Sequence, residues 1–555
     1  MKQHRLAIVA ALAGGLLLSA CSTSDDIRTA PVSADSAATP GGTLRVGILR
    51  PTTIDPQLLP TGDTAAALVV RTMCDPLIGT DPVSRELSPA VAKDWRVLGP
   101  NGAAVVLRKD VHFSDGTPLT ARDVAYSLTR ILDPDVASPQ NQLFSHIAGW
   151  QDVQDGKHDV SSLQSIKATT KDVVQVFLDK DDAQFIYALA QPFATPVPRE
   201  AATKPGFSSH PICLGPYALE GQYTGVEDTI TLVRVEDYPG LRPALSRSGR
   251  GWADRVVFTV FDGPAPLLSA LQSGRLDAAQ LGGTEGITAA ATGITVTSVP
   301  TGRLEYVGLP NRDPLNNPVI QAALRASLDR ERINNVAFHG TRTPAYNLIP
   351  PTMPDSVLPT GRIRDCQIDP TGHAAEAKQL IATAVPPGTS LGTLPFYFND
   401  EFDNKAMVNE LVKQWAPLGL KLQPTPVSFA NLVARGEGSG GFDGVFRMTA
   451  TAEYADQSAF VLPLVSVEAL GKTNYTGYNG ELLARLIRNR LEPAVPAADQ
   501  RRESLAVTRA TCAVPIIPIA WYQRHLGIAP TAVVAAHEAV DRGTGLPELR
   551  ELAVG

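Results

Sequence analysis

The chain has 555 residues, of which 44% are hydrophobic, 19% charged and 6% aromatic. These proportions are typical of a soluble globular protein and exclude a disordered chain or a coiled coil. The formal net charge of −7 argues against a nucleic-acid-binding protein, which needs a basic surface.

The first residues have the pattern of an export signal. Lys2 and Arg5 are followed by the apolar run Leu6–Leu18, which is too short to span a bilayer. No other long apolar run occurs, which excludes a polytopic membrane protein. We therefore predict a signal peptide over residues 1–20.

The tetrapeptide 18–21 resembles the lipobox of bacterial lipoproteins, in which the cysteine, here Cys21, receives diacylglycerol. The Ser-, Thr-, Ala- and Pro-rich stretch over 21–41 has few bulky apolar residues and predicts a flexible tether. We expect a lipid anchor at Cys21, and an ordinary signal peptide with a chance cysteine is the alternative.

Local patterns predict the first elements of the folded part. Alternating apolar residues predict a strand over Thr43–Leu49, and the apolar runs Ala104–Leu107 and Val111–Phe113 predict a hairpin region. Thr120 and Asp123 fit a capping box. The helix that follows has one apolar face and ends before Pro134.

Further along the chain, two strand–helix–strand units are predicted, which indicate two α/β domains with partly parallel sheets. Between them, Asn317 and Asp329 are predicted to cap two short helices. The two units comprise Arg255–Phe261, Ala265–Gln272 and Leu276–Leu281, and then Leu394–Phe398, Val408–Trp415 and Leu418–Leu422.

Beyond Cys21, four cysteines remain: Cys74, Cys213, Cys366 and Cys512. They form no Cys-x-x-Cys pair, which disfavours a zinc site. An even number in an exported protein indicates disulfides, with three possible pairings, and buried free thiols are the alternative.

The sequence lacks the spacing of known catalytic motifs. It contains no His-Glu-x-x-His, Gly-x-Ser-x-Gly, phosphate-binding loop or dinucleotide fingerprint. The histidines are scattered, so no metal-binding helix face is predicted. We expect a binding protein without catalysis, metal or other cofactor.

Several segments together resemble the extracellular solute-binding proteins of ABC importers, in the class (family 5) that binds oligopeptides, dipeptides and nickel complexes. The longest and most specific match runs from Leu87 to Val124. The matching segments are Gly42–Val46, Ile54–Pro56, Asp75–Ile78, Leu87–Trp95, Leu107–Val124, Gly215–Tyr217 and Arg325–Ile333.

The resemblance implies an α/β, two-lobed fold like that of periplasmic binding proteins, of type II and of the class with an extra domain. Three structural domains would surround a hinged ligand cleft that closes on the ligand. The implied domains are domain I over 42–86, 210–303 and 516–555, domain II over 87–209, and domain III over 304–515.

In peptide-binding relatives, the ligand lies extended against protein strands, and a buried carboxylate pairs with its α-ammonium group. The resemblance places Glu453 at that carboxylate and Arg447 at a pocket arginine. Ala450 stands where those relatives have a tryptophan, which would widen a side-chain pocket. A surface carboxylate and a structural salt bridge are the alternatives for Glu453 and Arg447.

Five further residues are candidates for the ligand site. Asn474 matches a polar pocket position, with local backbone capping as its alternative. Thr449 and Thr451 would offer main-chain hydrogen bonds to a peptide. Trp521 and Tyr522 are candidates for the cleft wall or for the core.

We therefore expect an extracytoplasmic, lipid-anchored monomer that captures oligopeptides for the permease subunits of an ABC importer, without binding nucleic acid. The same fold could instead bind a sugar oligomer, a nickel chelate or a specialised metabolite. The sequence also allows a peptide-sensing lipoprotein or an enzyme that uses the cleft. A neighbouring permease operon would argue against the sensor, and turnover of a substrate would identify the enzyme.

Overall fold

In a computed structural model, residues 39–534 and 546–554 are described, except for 61, 83, 99–101, 110, 181, 183–184, 354–371, 387–390, 401–402, 439, 453–455, 491–503 and 505. Among these residues, no helix is both long and apolar enough to cross a bilayer. The predicted signal peptide, Cys21 and Cys366 lie outside the described residues.

Strands and helices alternate along the chain. The strands are β1 (Thr43–Leu49), β2 (Gly79–Thr80), β3 (Leu87–Ser88), β4 (Ala92–Val97), β5 (Gly102–Leu107), β6 (Ile166–Ala168), β7 (Val173–Phe177), β8 (Tyr217–Glu220), β9 (Thr229–Arg234), β10 (Arg255–Phe261), β11 (Ala278–Leu281), β12 (Thr295–Gly308), β13 (Arg342–Pro344), β14 (Thr393–Asn399), β15 (Lys421–Val427), β16 (Val445–Thr451), β17 (Ile516–Ile528), β18 (Ala532–Val534) and β19 (Leu552–Val554). The α-helices are α1 (Thr64–Met73), α2 (Ala121–Leu132), α3 (Trp150–Gln154), α4 (Phe185–Ala188), α5 (Arg199–Ala202), α6 (Pro264–Gln272), α7 (Gly283–Ala291), α8 (Pro318–Ala326), α9 (Arg330–Ala337), α10 (Ala374–Ala384), α11 (Asn404–Trp415), α12 (Phe429–Glu437), α13 (Gln457–Val465) and α14 (Glu481–Arg490).

One large mixed sheet runs through the molecule in the strand order β15-β14-β16-β12-β17-β11-β1-β10-β9-β8, with β13 beside β17. Both predicted strand–helix–strand units are present: β1 lies parallel between β10 and β11, and β14 lies parallel beside β15. The two units share one continuous sheet because the long strands β12 and β17 pair with each other and bridge them. The predicted domain boundaries stay predictions.

Two details of the sequence prediction are wrong. β5 does not pair with 111–113 in a hairpin. It lies between β4, which directly precedes it, and β7, which comes much later in the chain. β15 begins at Lys421 rather than at Leu418, because a 3-10 turn ends at Leu418 and Gly419 takes a left-handed φ of 85°. Both errors concern where a strand begins or which strand it meets, which local pattern does not fix.

The predicted helix starts are confirmed. Asp123 accepts the backbone N–H of Thr120 at 2.9 Å at the start of α2. The Asn317 side chain accepts backbone N–H groups of α8, and Asp329 accepts that of Arg332 in α9. Trp415 of α11 is fully buried, as its place on the apolar helix face predicts.

Buried ion pairs and a disulfide join segments that lie far apart in the sequence. Arg130 donates to both carboxylate oxygens of Asp55, at 2.9 and 2.6 Å. Arg550 donates to Asp75 at 2.5 Å, and all four side chains are buried. Cys74 is bonded to Cys213, which settles one of the open cysteine pairings.

His525 of β17 is buried where three elements meet. Its Nδ1 lies 2.6 Å from the Ser298 hydroxyl of β12. A Cβ at Gly286 would lie 2.8 Å from the ring, so α7 packs directly against it. Burial lowers the pKa of His525 below its ordinary value of 6.5.

We expect this histidine to make the protein sensitive to acid. Below pH 6.5 this histidine is protonated in the unfolded chain but still neutral in the folded chain. The free energy of unfolding therefore decreases as the pH is lowered, until the folded pKa is reached. Urea unfolding between about pH 8 and pH 5 should show a shallower decrease for His525→Gln than for the native chain. Exposed His158→Gln is the control. Equal slopes for the native chain and His525→Gln would contradict the assignment.

Candidate functional site

Among the described strands, none pairs with the outer edge of the carboxyl-terminal half of β16. Its first residues, Val445 and Phe446, pair with β14, whereas Phe446–Thr451 pair with β12 on the other side. Beyond Phe446, no described strand covers the edge that faces away from β12. Unpaired N–H and C=O groups on such an edge are able to accept a further strand.

The candidates on β16 divide between the two faces of the sheet, because successive side chains of a strand point to opposite sides. Arg447, Thr449 and Thr451 share one face. Ala450 lies on the other face, where it packs against a buried apolar cluster that also contains Trp521. Trp521 is 3% exposed and contacts the ring of Phe460 edge-on, so it is a core residue in this structure.

Arg447 lies in a buried network of charged side chains. Its guanidinium pairs with the carboxylate of Glu305, through Nε and, at 2.7 Å, through Nη2. Nη1 donates to the Asn399 side chain at 2.6 Å. Arg342 donates to the same Glu305 carboxylate at 2.9 Å, as does the Tyr522 hydroxyl.

The network keeps Glu305 ionised. Burial of this fully enclosed carboxyl disfavours its charge, but Arg447, Arg342 and Tyr522 outweigh that effect and lower the pKa of Glu305. Burial likewise disfavours the charge on Arg447, but Glu305 outweighs that effect and raises the pKa of Arg447. The pair therefore stays charged although it is out of contact with water.

The ring of Tyr522 contacts the guanidinium groups of two arginines. The Arg342 guanidinium carbon lies 4.0 Å from the centre of the Tyr522 ring, and that of Arg303 lies 4.4 Å from it. Burial and the Glu305 charge raise the pKa of Tyr522, so its hydroxyl stays protonated and continues to donate.

Asn474 lies apart from this network and caps its own loop. Its amide donates to the carbonyl groups of Ser466, at 3.1 Å, and Tyr478, at 2.9 Å. Its side-chain oxygen accepts from Thr476 at 3.0 Å. In this structure Asn474 therefore has the capping role that the sequence left open as the alternative.

Glu453 lies outside the described residues, so the structure does not place it. Of the other candidates, the structure brings Arg447 and Tyr522 into direct contact and places Thr449 and Thr451 on the same strand. Sequence reasoning missed Glu305, Arg342, Asn399 and Arg303. The available signal was Glu305 itself, a lone carboxylate in the otherwise apolar run 304–309, which requires a buried partner.

Asn399 ends β14, and Thr449 and Thr451 end β16, so the candidate site lies at the carboxyl ends of parallel strands. Ligands of open α/β sheets bind at such ends. Together, the mixed sheet and this edge have the architecture of a periplasmic binding protein. An unliganded open form of the murein tripeptide binding protein MppA has the same fold, with a TM-score of 0.79 and 18% identity, covering 94% of this chain and 99% of that one.

The family follows from the sequence comparison. The model for bacterial extracellular solute-binding proteins, family 5 (middle part), matches residues 86–471, and the chain belongs to this family of extracytoplasmic binding proteins. Heme-binding protein A of Haemophilus influenzae is 24% identical over 473 residues, covering 80% of each chain. The periplasmic oligopeptide-binding protein OppA of Escherichia coli is 25% identical over 418 residues, covering 70% of this chain and 71% of OppA.

Proposed function

We propose that this protein captures oligopeptides outside the cytoplasm and delivers them to an ABC permease, without catalysis. The observation that carries the proposal is the unpaired edge of β16 beyond Phe446. An extended peptide can add to this edge as a further strand, and its main chain then receives hydrogen bonds whatever its side chains are. The similarity to an oligopeptide-binding protein of Escherichia coli supports this ligand class.

Glu453, which follows β16 by two residues, is our candidate for the partner of the peptide ammonium group. A buried ammonium group requires a charge partner, and a carboxylate that follows the peptide-binding strand can meet the end of an added strand. Thr449 and Thr451 would contribute main-chain hydrogen bonds. Arg447 would support the site by holding β16 to Glu305 of β12 rather than by touching the ligand.

The proposal also covers the place of the protein in the cell. Lipidation at Cys21 would attach a monomer to the outer face of the cell membrane, since two or more acyl chains give stable anchoring. Ligand binding between the lobes would favour a closed form, and the permease would recognise that form. Mass spectrometry of the N-terminal peptide from membranes would test the lipid anchor.

We expect native mass spectrometry of the purified full-length chain, mixed with a library of random tri- to pentapeptides, to detect bound peptides. Glu453→Gln should weaken binding of peptides with a free N-terminus by about tenfold or more, because a charge-assisted hydrogen bond is lost. N-acetylated peptides should bind the native chain and the variant equally. Exposed Glu437→Gln is the matched control.

Two results would contradict the proposal in different ways. Absence of any bound peptide at high library concentration would overturn peptide capture, and metabolite extracts would then be the next ligands to test. Bound peptides with no difference between Glu453→Gln and the control would keep peptide capture but remove Glu453 as the ammonium partner.

A further inference from the structure

Arg303 differs from Arg447 in what its guanidinium group contacts. Arg447 directs its donors to Glu305, Asn399 and Tyr522, so protein groups already occupy them. In the part of the chain that the structure describes, the Arg303 guanidinium has no hydrogen-bond acceptor and lies on the face of the Tyr522 ring. Its donors are therefore available at an exposed position.

Among the residues that the structure describes, positive charges outnumber negative ones around Arg303. Arg303, Arg342 and Arg447 all contact either Glu305 or the ring of Tyr522. Glu305 is the one carboxylate among the described residues that contacts them. Among the described residues, these three positive groups therefore face one negative group, with Arg342 and Arg447 buried and Arg303 exposed, and this excess of positive charge favours the binding of an anion.

The backbone fixes where Arg303 points. The pairing of β12 with β17 shifts register between Pro300 and Leu304. The Thr301 hydroxyl holds this irregular part of β12, because it accepts the Arg303 backbone N–H at 3.2 Å and donates to the Tyr522 carbonyl at 3.1 Å. Such irregularities re-aim a side chain, and here they place a guanidinium group over the half-buried ring of Tyr522.

Arg303 is also close to the strand that would carry the ligand. It pairs in register with Thr451, the last residue of β16, and the two side chains share one face of the sheet. A guanidinium group held over a ring by its charge, with no acceptor among the described residues, keeps its N–H groups for other partners. Those groups match the two oxygens of a carboxylate.

We infer that Arg303 binds a carboxylate group of the ligand, so that this protein prefers peptides that carry a negative charge near the end of β16. The inference rests on the proposed function, because it assigns the chemistry of one position in the same ligand site. Because Glu453 would hold the ammonium group at this same end of β16, an acidic side chain near the peptide N-terminus is the nearer source of the group, and the C-terminal carboxylate is the other source that the test distinguishes.

The test uses four libraries of random tri- to pentapeptides, with free or amidated C-termini and with or without Asp and Glu. Native mass spectrometry of the full-length chain should show that at least one carboxylate source, the free C-terminus or the acidic side chains, raises capture over the amidated, acid-free library. Arg303→Gln should reduce that preference by about tenfold or more. Arg303→Lys keeps the positive charge but loses the paired N–H donors that match the two oxygens of a carboxylate, so it should retain part of the preference.

Exposed Arg122→Gln of α2 is the control for a general loss of positive charge. Comparison of the two carboxylate sources identifies which one Arg303 binds. Equal capture of all four libraries by the native chain, or an undiminished preference in Arg303→Gln, would overturn the inference while leaving peptide capture intact. Absence of binding to all four libraries would instead overturn the proposed function, and the inference with it.

Discussion

Replacing Glu305 with Gln should lower the free energy of unfolding by about 3–5 kcal/mol, because it leaves buried cations without their partner. Glu305 is 0% exposed, and both Arg447 and Arg342 direct hydrogen bonds to it. Gln keeps the size of the side chain and removes only its charge. The loss is therefore that of a buried ion network, not that of a cavity.

Two comparisons separate this cause from a general effect of substitution. Exposed Glu236→Gln should change the free energy of unfolding by no more than about 0.5 kcal/mol. Adding Arg447→Met to Glu305→Gln should recover part of the loss, because one of the unpaired cations is then removed. Urea unfolding measures the free energy of unfolding of all three variants. A Glu305→Gln chain as stable as the native one would contradict the network.

The network should also make stability depend on pH. The folded pKa of Glu305 is lowered from its ordinary value of 4.5. Its contribution is therefore complete above pH 4.5 and is lost as pH falls through the folded pKa. This loss should be absent in Glu305→Gln.

The sequence predicted elements whose signals lie within a few residues. Thr120 and Asp123 cap α2, Asn317 caps α8, and both strand–helix–strand units are present, although β15 begins later than predicted. The pairing of β5 was wrong because its neighbour β7 lies about 70 residues further along. Which strands pair depends on how segments far apart in the sequence come together, and the local sequence pattern does not show this.

The same limit explains which part of the site the sequence missed. The family resemblance drew attention to Arg447, but its partner Glu305 lies 142 residues earlier. The conformation that aims Arg303 at Tyr522 depends on the irregular pairing of two long strands, which one sequence does not reveal. The family resemblance located the strand, and the three-dimensional structure was required to distinguish an arginine that is already paired from one that is available.

Gly215→Ala should destabilise the protein by about 3 kcal/mol or more, because the added carbon atom has no space. A Cβ at this position would lie 2.0 Å from the Met73 carbonyl oxygen and 3.1 Å from the Cα of Cys74. Both are backbone atoms, so no side chain can rotate away. This close approach is a physical reason for a glycine in the segment Gly215–Tyr217, through which the sequence resembles its family.

Relief by movement of either segment is blocked. The disulfide from Cys74 to Cys213 joins them, and the backbone N–H of Asp75 donates to the Leu214 carbonyl at 2.5 Å. Gly440→Ala is the matched control, since a Cβ there would meet nothing within 4 Å. Urea unfolding should show a large loss for Gly215→Ala and little change for the control. Equal stability of the two variants would mean that the segments are not held together as tightly as their contacts indicate.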